Sequence, residues 1–379
     1  MEKRLFAGIG REISLLGFGL MRLPRLDPAA PDIDYARAEK MIARAIAAGV
    51  NYFDTAWMYH EGRSETFAGD ALSRYPRASY CLATKCPPWL VETPDDVERM
   101  FDAQLQKCRT DYFDFYLIHG LNEDRYKKVR NLGLYDRLLK KKEQGLIRHL
   151  GFSFHDHPSL MERIAAEYPW DFAQIQLNYI DWTALRAKNL YEILSGRKIP
   201  VVIMEPVRGG ALSSLPGEAE TALKKAAPEA SMASWAIRFA ASLPGVLTVL
   251  SGMTAMEQLE DNLKTMNPFR PLGQDERAAL EQAAVLYNAA GAIPCTGCRY
   301  CMDCPSGVNI PSVFAIYNHY RRGMSDGALA RIVFGNNYNA LRKAERADNC
   351  AACEQCVEKC PQQIEIPKRM EEITAFAQP

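Results

Sequence analysis

YFDTAWMY (Tyr52–Tyr59), LATK (Leu82–Lys85) and FYLIH (Phe115–His119) decide the reading of this chain. Each holds a short apolar run that stops abruptly at an ionisable residue. The runs end at Asp54, Lys85 and His119, and Tyr59 follows Asp54 by five positions. A buried strand that finishes in a polar group places that group at the rim of a sheet. In a (β/α)₈ barrel the rim at the C-terminal ends of the strands is where catalysis sits. The three stretches, about 30 residues apart, therefore predict one site built from Asp, Tyr, Lys and His.

Working outward, the alternation continues on both sides. Before it, residues 1–13 read as a hairpin with Gly8 and Gly10 in the turn, Leu15–Leu20 as a first strand, and Asp34–Ala48 as a helix with Ala38, Met41, Ile42, Ala45 and Ile46 at helical spacing before Gly49. The expected strands then run Val50–Asp54, Tyr80–Thr84, Phe113–Ile118, Ile147–Phe152, Phe172–Leu177, Val201–Met204 and Val246–Ser251. Helices are expected between them at Glu65–Leu72, Pro94–Gln106, Asn131–Gln144, Pro158–Glu167, Ala187–Leu194, Ser231–Ala241 and Ala255–Leu263. Strict alternation implies a parallel sheet, and eight units imply closure into a (β/α)₈ TIM barrel. A doubly wound open sheet is the alternative. Gly17 and Gly19 in the first strand do not make a dinucleotide fingerprint, because no helix opens after them and no third glycine follows.

Beyond a Pro/Gly break at Pro268–Gly273, Asp275–Tyr287 reads as one more helix, packed on the barrel exterior. Gly291 and Pro294 mark a boundary. The expected organisation is a barrel over residues 1–290 and a small, mostly helical domain over residues 291–379. A length of 379 residues suits such a pair, and 48% apolar content suffices for a large core. With 46 basic and 46 acidic residues there is no electrostatic case for nucleic acid or an anionic membrane. No apolar run approaches the roughly 18 residues of a membrane span. MEKRLFAGIG has no signal-peptide core, so a soluble, cytoplasmic protein is expected.

The residue types suggest the chemistry. A free tyrosine titrates near ~10, too high for an efficient acid at neutrality. A nearby lysine ammonium favours the phenolate and lowers that value. A buried lysine needs a counter-ion, which Asp54 supplies. His119 is placed to hydrogen-bond a carbonyl or assist proton transfer. Taken singly, each of these is often a satisfied structural group at a strand end; the argument rests on the four together.

Asp54, Tyr59, Lys85 and His119 resemble the catalytic tetrad of the aldo/keto reductases. FDTAWMYHEGRSE, ATKCPP, DYFDFYLIHG, GFSFHD and IQLNY resemble that family's motifs in order, across residues from about 5 to 290. The resemblance implies reduction of an aldehyde or ketone by NADPH or NADH, with Tyr59 as general acid, Lys85 tuning it, Asp54 pairing with Lys85 and His119 orienting the carbonyl. It also implies that Ser153 and Gln176 hold the nicotinamide carboxamide. Met204 stands where the family commonly stacks an aromatic residue on the ring, and Phe154 stands where it commonly has Asn. Arg208, Gly209 and Gly210 suit the pyrophosphate, a plain surface turn being the alternative. Ser251, Gly252, Gln258 and Asn262 match the segment for the adenosine end. The basic residues that many members use for a 2′-phosphate are replaced by Gly252 and Gln258, which weakens the case for NADP over NAD. Cys86 reads as core filler and His60 as a pocket residue. His155 is the only other histidine worth testing for a cofactor contact.

Eight of the 11 cysteines lie in two groups, CTGCRYCMDCP (Cys295–Pro305) and CAACEQCVEKCP (Cys350–Pro361). The second fits the bacterial ferredoxin run, in which three thiolates hold one [4Fe–4S] cluster and the Cys before Pro reaches the other. The first has one residue fewer before its last Cys. The expected ligand sets are Cys295, Cys298, Cys301 and Cys360 for one cluster, and Cys350, Cys353, Cys356 and Cys304 for the other. Structural zinc is the rival; Cys-Pro closure of both groups favours iron–sulfur. The spacer, Ile310 to Arg346, reads as helical, and the whole segment resembles helical dicluster ferredoxin domains, including one appended to a branch of the aldo/keto reductases.

The expected function is thus an NAD(P)-dependent carbonyl reductase carrying two [4Fe–4S] clusters of electron-transfer or structural role. Its substrate is a small-molecule carbonyl, and a ferredoxin or flavoprotein is the expected redox partner. The alternative is a redox sensor, an electron carrier or a subunit of a redox complex whose barrel only binds nucleotide.

Overall fold

The structure, a computed structural model, describes residues 1–27, 30, 32–302, 304–323 and 328–377. These fall into two compact units. One is Met1–Pro206 with Ser234–Leu272; the other is Val207–Ala233 with Gly273–Pro379.

The first unit opens with an antiparallel hairpin, β1 (Lys3–Leu5) and β2 (Glu12–Ser14), turned at Gly10. Eight parallel strands follow: β3 (Leu16–Gly19), β4 (Tyr52–Asp54), β5 (Cys81–Cys86), β6 (Phe113–Leu121), β7 (Ile147–Phe154), β8 (Phe172–Gln176), β9 (Val201–Met204) and β10 (Val246–Gly252). They close in sequence order, with β10 pairing β3. The barrel is therefore a closed (β/α)₈ one, and the open sheet is excluded. Side chains fill the barrel interior. Tyr52, Ala83, Phe115, Leu117, Phe172 and Val202 pack there, and Ile9 and Ile13 of the hairpin join the same core.

The helices follow local chemistry. Tyr35–Ala47 starts where the Asp34 carboxylate accepts from Arg37 N–H, buries Ala38, Met41, Ile42 and Ala45, and gives way to Gly49 at φ +90°. Pro94–Cys108 starts at a Thr93/Asp96 capping box. Helix Ser64–Leu72 packs on Pro94–Cys108 through Gly69, where a Cβ would sit 2.3 Å from the Lys107 carbonyl oxygen. Gly69→Ala is expected to destabilise the barrel by about 1–3 kcal/mol. All five tryptophans lie in this unit, so urea unfolding followed by tryptophan fluorescence checks it; an unchanged midpoint would refute the close approach.

Three expectations are corrected. The single helix Asn131–Gln144 is two, Glu123–Asn131 and Leu134–Glu143, because Gly133 turns left-handed at φ +59° between them. β5 runs one residue past Lys85, and β6 two residues past His119. In β6 the register with β7 shifts between Ile118 and Leu121, with Gly120 at φ +60°. His119 thus sits in a bulge, a device that re-aims a side chain. The helix expected on the barrel exterior, Gln274–Ala289, belongs to the second unit and packs on helix Gly217–Ala226 of the long connection after β9.

The second unit also holds helices Ile310–Gly323, Ala328–Ala340 and Ile366–Ala377 around a core that includes Val313, Phe314, Phe334, Tyr338, Met370 and Ile373. Residues 324–327, inside the spacer read as helical, lie outside the described residues. No helix among the described residues is long and apolar enough to cross a membrane.

Candidate active site and cysteine cluster sites

Four elements deliver the catalytic candidates. Asp54 ends β4, Lys85 is the penultimate residue of β5, His119 rides the β6 bulge, and Tyr59 begins the turn after β4. Lys85 is fully buried, and its Nζ donates to Asp54 Oδ1 at 2.7 Å and to Thr55 O at 2.7 Å. The Tyr59 hydroxyl lies 3.4 Å from the same Nζ. The Tyr59 and His119 rings meet edge to face with centroids 6.2 Å apart. The structure therefore brings all four together. Burial raises the Asp54 carboxyl against the pull of Lys85, and burial lowers the Lys85 ammonium against the pull of Asp54. Each is the other's counter-ion, and removing either partner strands the other.

His119 is pushed well below its ordinary value, first by burial and then by Lys85, His155 and Arg125. It is neutral at neutral pH, and its Nδ1 has no hydrogen-bond partner among the described residues. The turn that carries Tyr59 is strained: His60 and Glu61 are left-handed at φ 51° and 53°. The His60 imidazole Nε2 accepts from Leu23 N–H at 3.2 Å, which ties this turn to the segment after β3.

Burial also lowers His155, to about 4. Unfolded histidines take up protons below about 6.5, whereas folded His119 and His155 resist. Stability of the first unit is therefore expected to fall as pH drops from about 6.5 towards 4, by up to roughly 1.4 kcal/mol per pH unit for each of the two histidines. Tryptophan-monitored urea unfolding across that range checks this, and His155→Gln should flatten the slope.

A polar layer beneath Lys85 was not read from the sequence. Buried Glu65 accepts from Thr84 Oγ1 at 2.7 Å and Gln104 Nε2 at 2.6 Å; Gln104 also donates to Lys85 O and accepts from the Tyr116 hydroxyl. Its signal was a glutamate one or more helical turns from Ala68, Ala71 and Leu72, the apolar residues that the same helix buries. Trp89, directly after the PP of ATKCPP, packs on His119 with ring centroids 5.1 Å apart.

Around the rim, the Ser153 hydroxyl accepts from Gly120 N–H at 2.7 Å, which joins β7 to the His119 bulge and leaves its own O–H to donate. Gln176 Nε2 and Asn178 Nδ2 both donate to Asp181 Oδ2, at 2.7 and 2.6 Å. Met204 sulfur lies 3.5 Å from Gln174 Nε2. Asn262 donates to Ser251 Oγ at 3.0 Å. Gln258 is turned back on its own segment, accepting from Thr254 N–H. Gly252 is covered by the stem of Arg22, whose carbons lie 3.1–3.2 Å from a Cβ built there; Arg22 also pairs with Glu205 at 3.3 Å. A basic residue is thus present beside Gly252, supplied by the segment after β3. Arg208 and Gly210 belong to the second unit.

Each cysteine segment has one thiol of the other segment among its neighbours. Burial raises the Cys301 thiol to about 12, and Cys298, Cys295 and Cys360 are the thiols close enough to add to the rise. For Cys356, raised by burial to about 11, the neighbouring thiols are Cys350, Cys304 and Cys353. Cys304, Cys350, Cys353 and Cys356 line one pocket. Among the described residues no three His, Cys, Asp or Glu side chains close on one point as the ligands of a single ion would.

The two segments repeat each other. Gly297, Arg299 and Gly307 are left-handed, and so are Ala352, Glu354 and Gln363, at the same offsets from the first, second and fourth Cys of each group. Left-handed residues at such offsets turn successive N–H groups inward as an anion-binding nest. Gly297 N–H reaches Cys295 Sγ at 3.4 Å, and the N–H groups of Ile364, Gln362 and Gln363 favour the Cys360 thiolate. Eight thiols with inward amides fit two anionic, thiolate-held iron–sulfur clusters.

Comparisons with known proteins agree. The aldo/keto reductase family model matches residues 15–285, and a 4Fe-4S dicluster domain model matches residues 294–365. The chain is 26% identical over 312 residues to an uncharacterized oxidoreductase, YqkF, of Bacillus subtilis (74% of this chain, 96% of that one). It is 25% identical over 313 residues to the L-galactose dehydrogenase of Arabidopsis thaliana (76% and 94%). An aldo-keto reductase from Bacillus halodurans, AKR11C1 in its holo form, superposes with a TM-score of 0.62 at 24% identity, covering 75% of this chain and 96% of that one. With a barrel matched from residue 15 to 285, this chain belongs to the aldo/keto reductase family and carries a 4Fe-4S dicluster domain behind the barrel.

Proposed function

We propose that the protein reduces an aldehyde or ketone to the alcohol with NADPH or NADH, using a barrel domain of residues 1–290, and that residues 291–379 hold two [4Fe–4S] clusters on the crossed cysteine sets. The observation that carries the reading is the buried Lys85 ammonium, fixed by Asp54 and Thr55 within 3.4 Å of the Tyr59 hydroxyl. A positive charge there makes the phenol a stronger acid. Neutral His119 donates an N–H to the carbonyl oxygen without adding charge. Together the two polarise the carbonyl and favour the developing alkoxide. The nicotinamide, when bound, supplies a hydride. Tyr59 gives its proton to the carbonyl oxygen as the C–H bond forms, and is reprotonated from solvent.

Ser153, Gln176 and Met204 hold the nicotinamide end. Arg208 and Gly210 serve the pyrophosphate, and Ser251, Gly252, Gln258 and Asn262 the adenosine end. The clusters exchange electrons with a ferredoxin or flavoprotein partner. Oxygen-free titration with NADPH and with NADH, followed by quenching of tryptophan fluorescence, tests the nucleotide. Oxidation of the nucleotide that depends on an aldehyde or ketone tests the reaction; binding without such oxidation would refute the reductase reading.

A further inference from the structure

The face of the barrel at the N-terminal ends of the strands, opposite the catalytic rim, holds a cavity of about 340 Å³. That lies within the roughly 300–1,000 Å³ range of small-molecule sites. The interior of a (β/α)₈ barrel is ordinarily filled by side chains. Here the packing stops short between the hairpin, which supplies Ile9, Arg11 and Ile13, and the first residues of β5, β6 and β7. Cys81, in the wall, precedes Lys85 by four residues on β5, so about 13 Å of strand separates this cavity from the catalytic lysine.

The walls divide by chemistry. Ile9, Ile13 and Phe115 are buried, apolar and part of one core. Burial pushes the Cys81 thiol up to about 12, so it adds no charge. Asp114 is already spent. Its Oδ2 accepts from Arg77 Nη2 at 2.7 Å and from Leu82 N–H at 2.9 Å, and Arg11 Nη1 lies 3.5 Å from its Oδ1. Arg11 also donates to Ala78 O and Tyr80 O, which fastens the turn of the hairpin to the barrel.

Two polar side chains in the wall are unspent. Arg148 makes no hydrogen bond or ion pair among the described residues; its guanidinium lies over the Tyr112 ring, 4.8 Å from the centroid. His149 is in register with Phe115, and their rings lie 5.0 Å apart, so the imidazole shares the inner face of the sheet with Phe115. Neither imidazole nitrogen has a hydrogen-bond partner among the described residues. Burial holds His149 below its ordinary value, against the pull of Asp171. It is neutral at neutral pH, with one nitrogen to donate and one to accept. In the same core the Tyr52 hydroxyl is fully buried and also has no partner among the described residues.

Charge and shape select the ligand. Four cations surround the cavity, Arg11, Arg77, Arg148 and Lys142, against two carboxylates, Asp114 and Asp171. The excess favours an anion. The Asp114 carboxylate in the wall opposes a polyanion, and the apolar wall favours an organic body over a bare inorganic ion.

We propose that this cavity binds a small organic monocarboxylate: Arg148 and His149 take the carboxylate, and Ile9, Ile13 and Phe115 take its apolar body. The site shares no residue with the catalytic rim, so it stands or falls apart from the reductase reading. A ligand there bridges the hairpin to β6 and β7 and binds only the folded barrel, so it must stabilise the first unit.

The probes are benzoate and hexanoate, titrated into the full-length protein by calorimetry and present during tryptophan-monitored urea unfolding. At least one is expected to bind and to raise the unfolding midpoint, whereas benzamide, the uncharged isostere of benzoate, and inorganic phosphate should do neither. Arg148→Ala should weaken carboxylate binding about 10- to 100-fold, as loss of a hydrogen bond to a charged group does, and should remove the rise in midpoint. Its midpoint without ligand should match wild type, because the guanidinium holds no hydrogen bond or ion pair to lose. Where that variant is itself destabilised, His149→Phe, which keeps a ring and removes both nitrogens, makes the same comparison. Carboxylate binding that is unchanged in these variants would put the ligand elsewhere and overturn the assignment. Equal binding of benzamide or of phosphate would overturn the ligand class, and no binding of either carboxylate would overturn the site.

Discussion

Tyr59→Phe is expected to lower carbonyl-dependent oxidation of the nicotinamide by about 10²- to 10⁴-fold, while nucleotide affinity stays within about twofold. The substitution removes one oxygen and keeps the ring. The Lys85 ammonium, 4.9 Å from the ring centroid, and the edge-to-face contact with His119 therefore survive. The Asp54–Lys85 pair is unaffected, because the Lys85 bonds to Asp54 Oδ1 and Thr55 O do not involve the phenol. Replacing Lys85 would be a poorer test. It would leave a buried carboxylate unpaired at a cost of about 3–5 kcal/mol, so lost activity would not separate chemistry from folding. The measurement is kcat and KM over an aldehyde and ketone panel, beside a binding titration of the variant. Retention of more than a tenth of wild-type kcat would remove Tyr59 as the acid.

Cys360→Ser is expected to empty the cluster site of the other cysteine group and leave its own neighbours loaded. On the crossed sets, Cys295, Cys298 and Cys301 lose their fourth thiolate, while Cys350, Cys353, Cys356 and Cys304 keep theirs. Iron per chain should fall by about half. After brief exposure to an alkylating agent, mass spectrometry should find Cys295, Cys298 and Cys301 modified and Cys350, Cys353 and Cys356 protected. Cys304→Ser should give the inverse pattern. The prediction rests on the neighbourhoods of Cys301 and Cys356, each of which includes one thiol from the opposite segment. If Cys360→Ser instead exposed Cys350, Cys353 and Cys356, each segment would ligate its own cluster and the crossed sets would be wrong.

The barrel was legible because its strands are apolar runs punctuated by ionisable residues, and β9, Val201–Met204, was read to the residue. What escaped had physical reasons. Glu123–Asn131 is a helix of charged residues that buries only Tyr126 and Val129, too few to set a period. Gly133 sits between Leu132 and Leu134, so apolar spacing runs through the break that its left-handed backbone makes. The amphipathic pattern of Gln274–Ala289 announces a buried face but does not name the neighbour that covers it. The four catalytic candidates were found together because three are fixed to adjacent strands. Arg22 beside Gly252 was missed because the contact joins segments some 230 residues apart in sequence. The cysteine sites were legible from spacing. The shortened spacer before Cys304 left its role open, and the matched left-handed offsets in both segments, Gly307 answering Gln363, now align the two repeats across it.

The crossed quartets proposed above would also dictate when the protein can mature. One set needs Cys360 and the other needs Cys356, so neither is complete while those residues remain inside the ribosome. A nascent chain that has already exposed the whole barrel carries Cys295, Cys298, Cys301 and Cys304 as a half-built pair of sites, open to oxidation and to stray metal. Closing either ring ties together segments more than 40 residues apart, with the loop-closure entropy falling on whichever cluster is delivered first. Insertion of the second then finds its ligands already gathered. Biogenesis is thus ordered by topology: cluster delivery follows translation, and delivery of either cluster shortens the loop that the other must close.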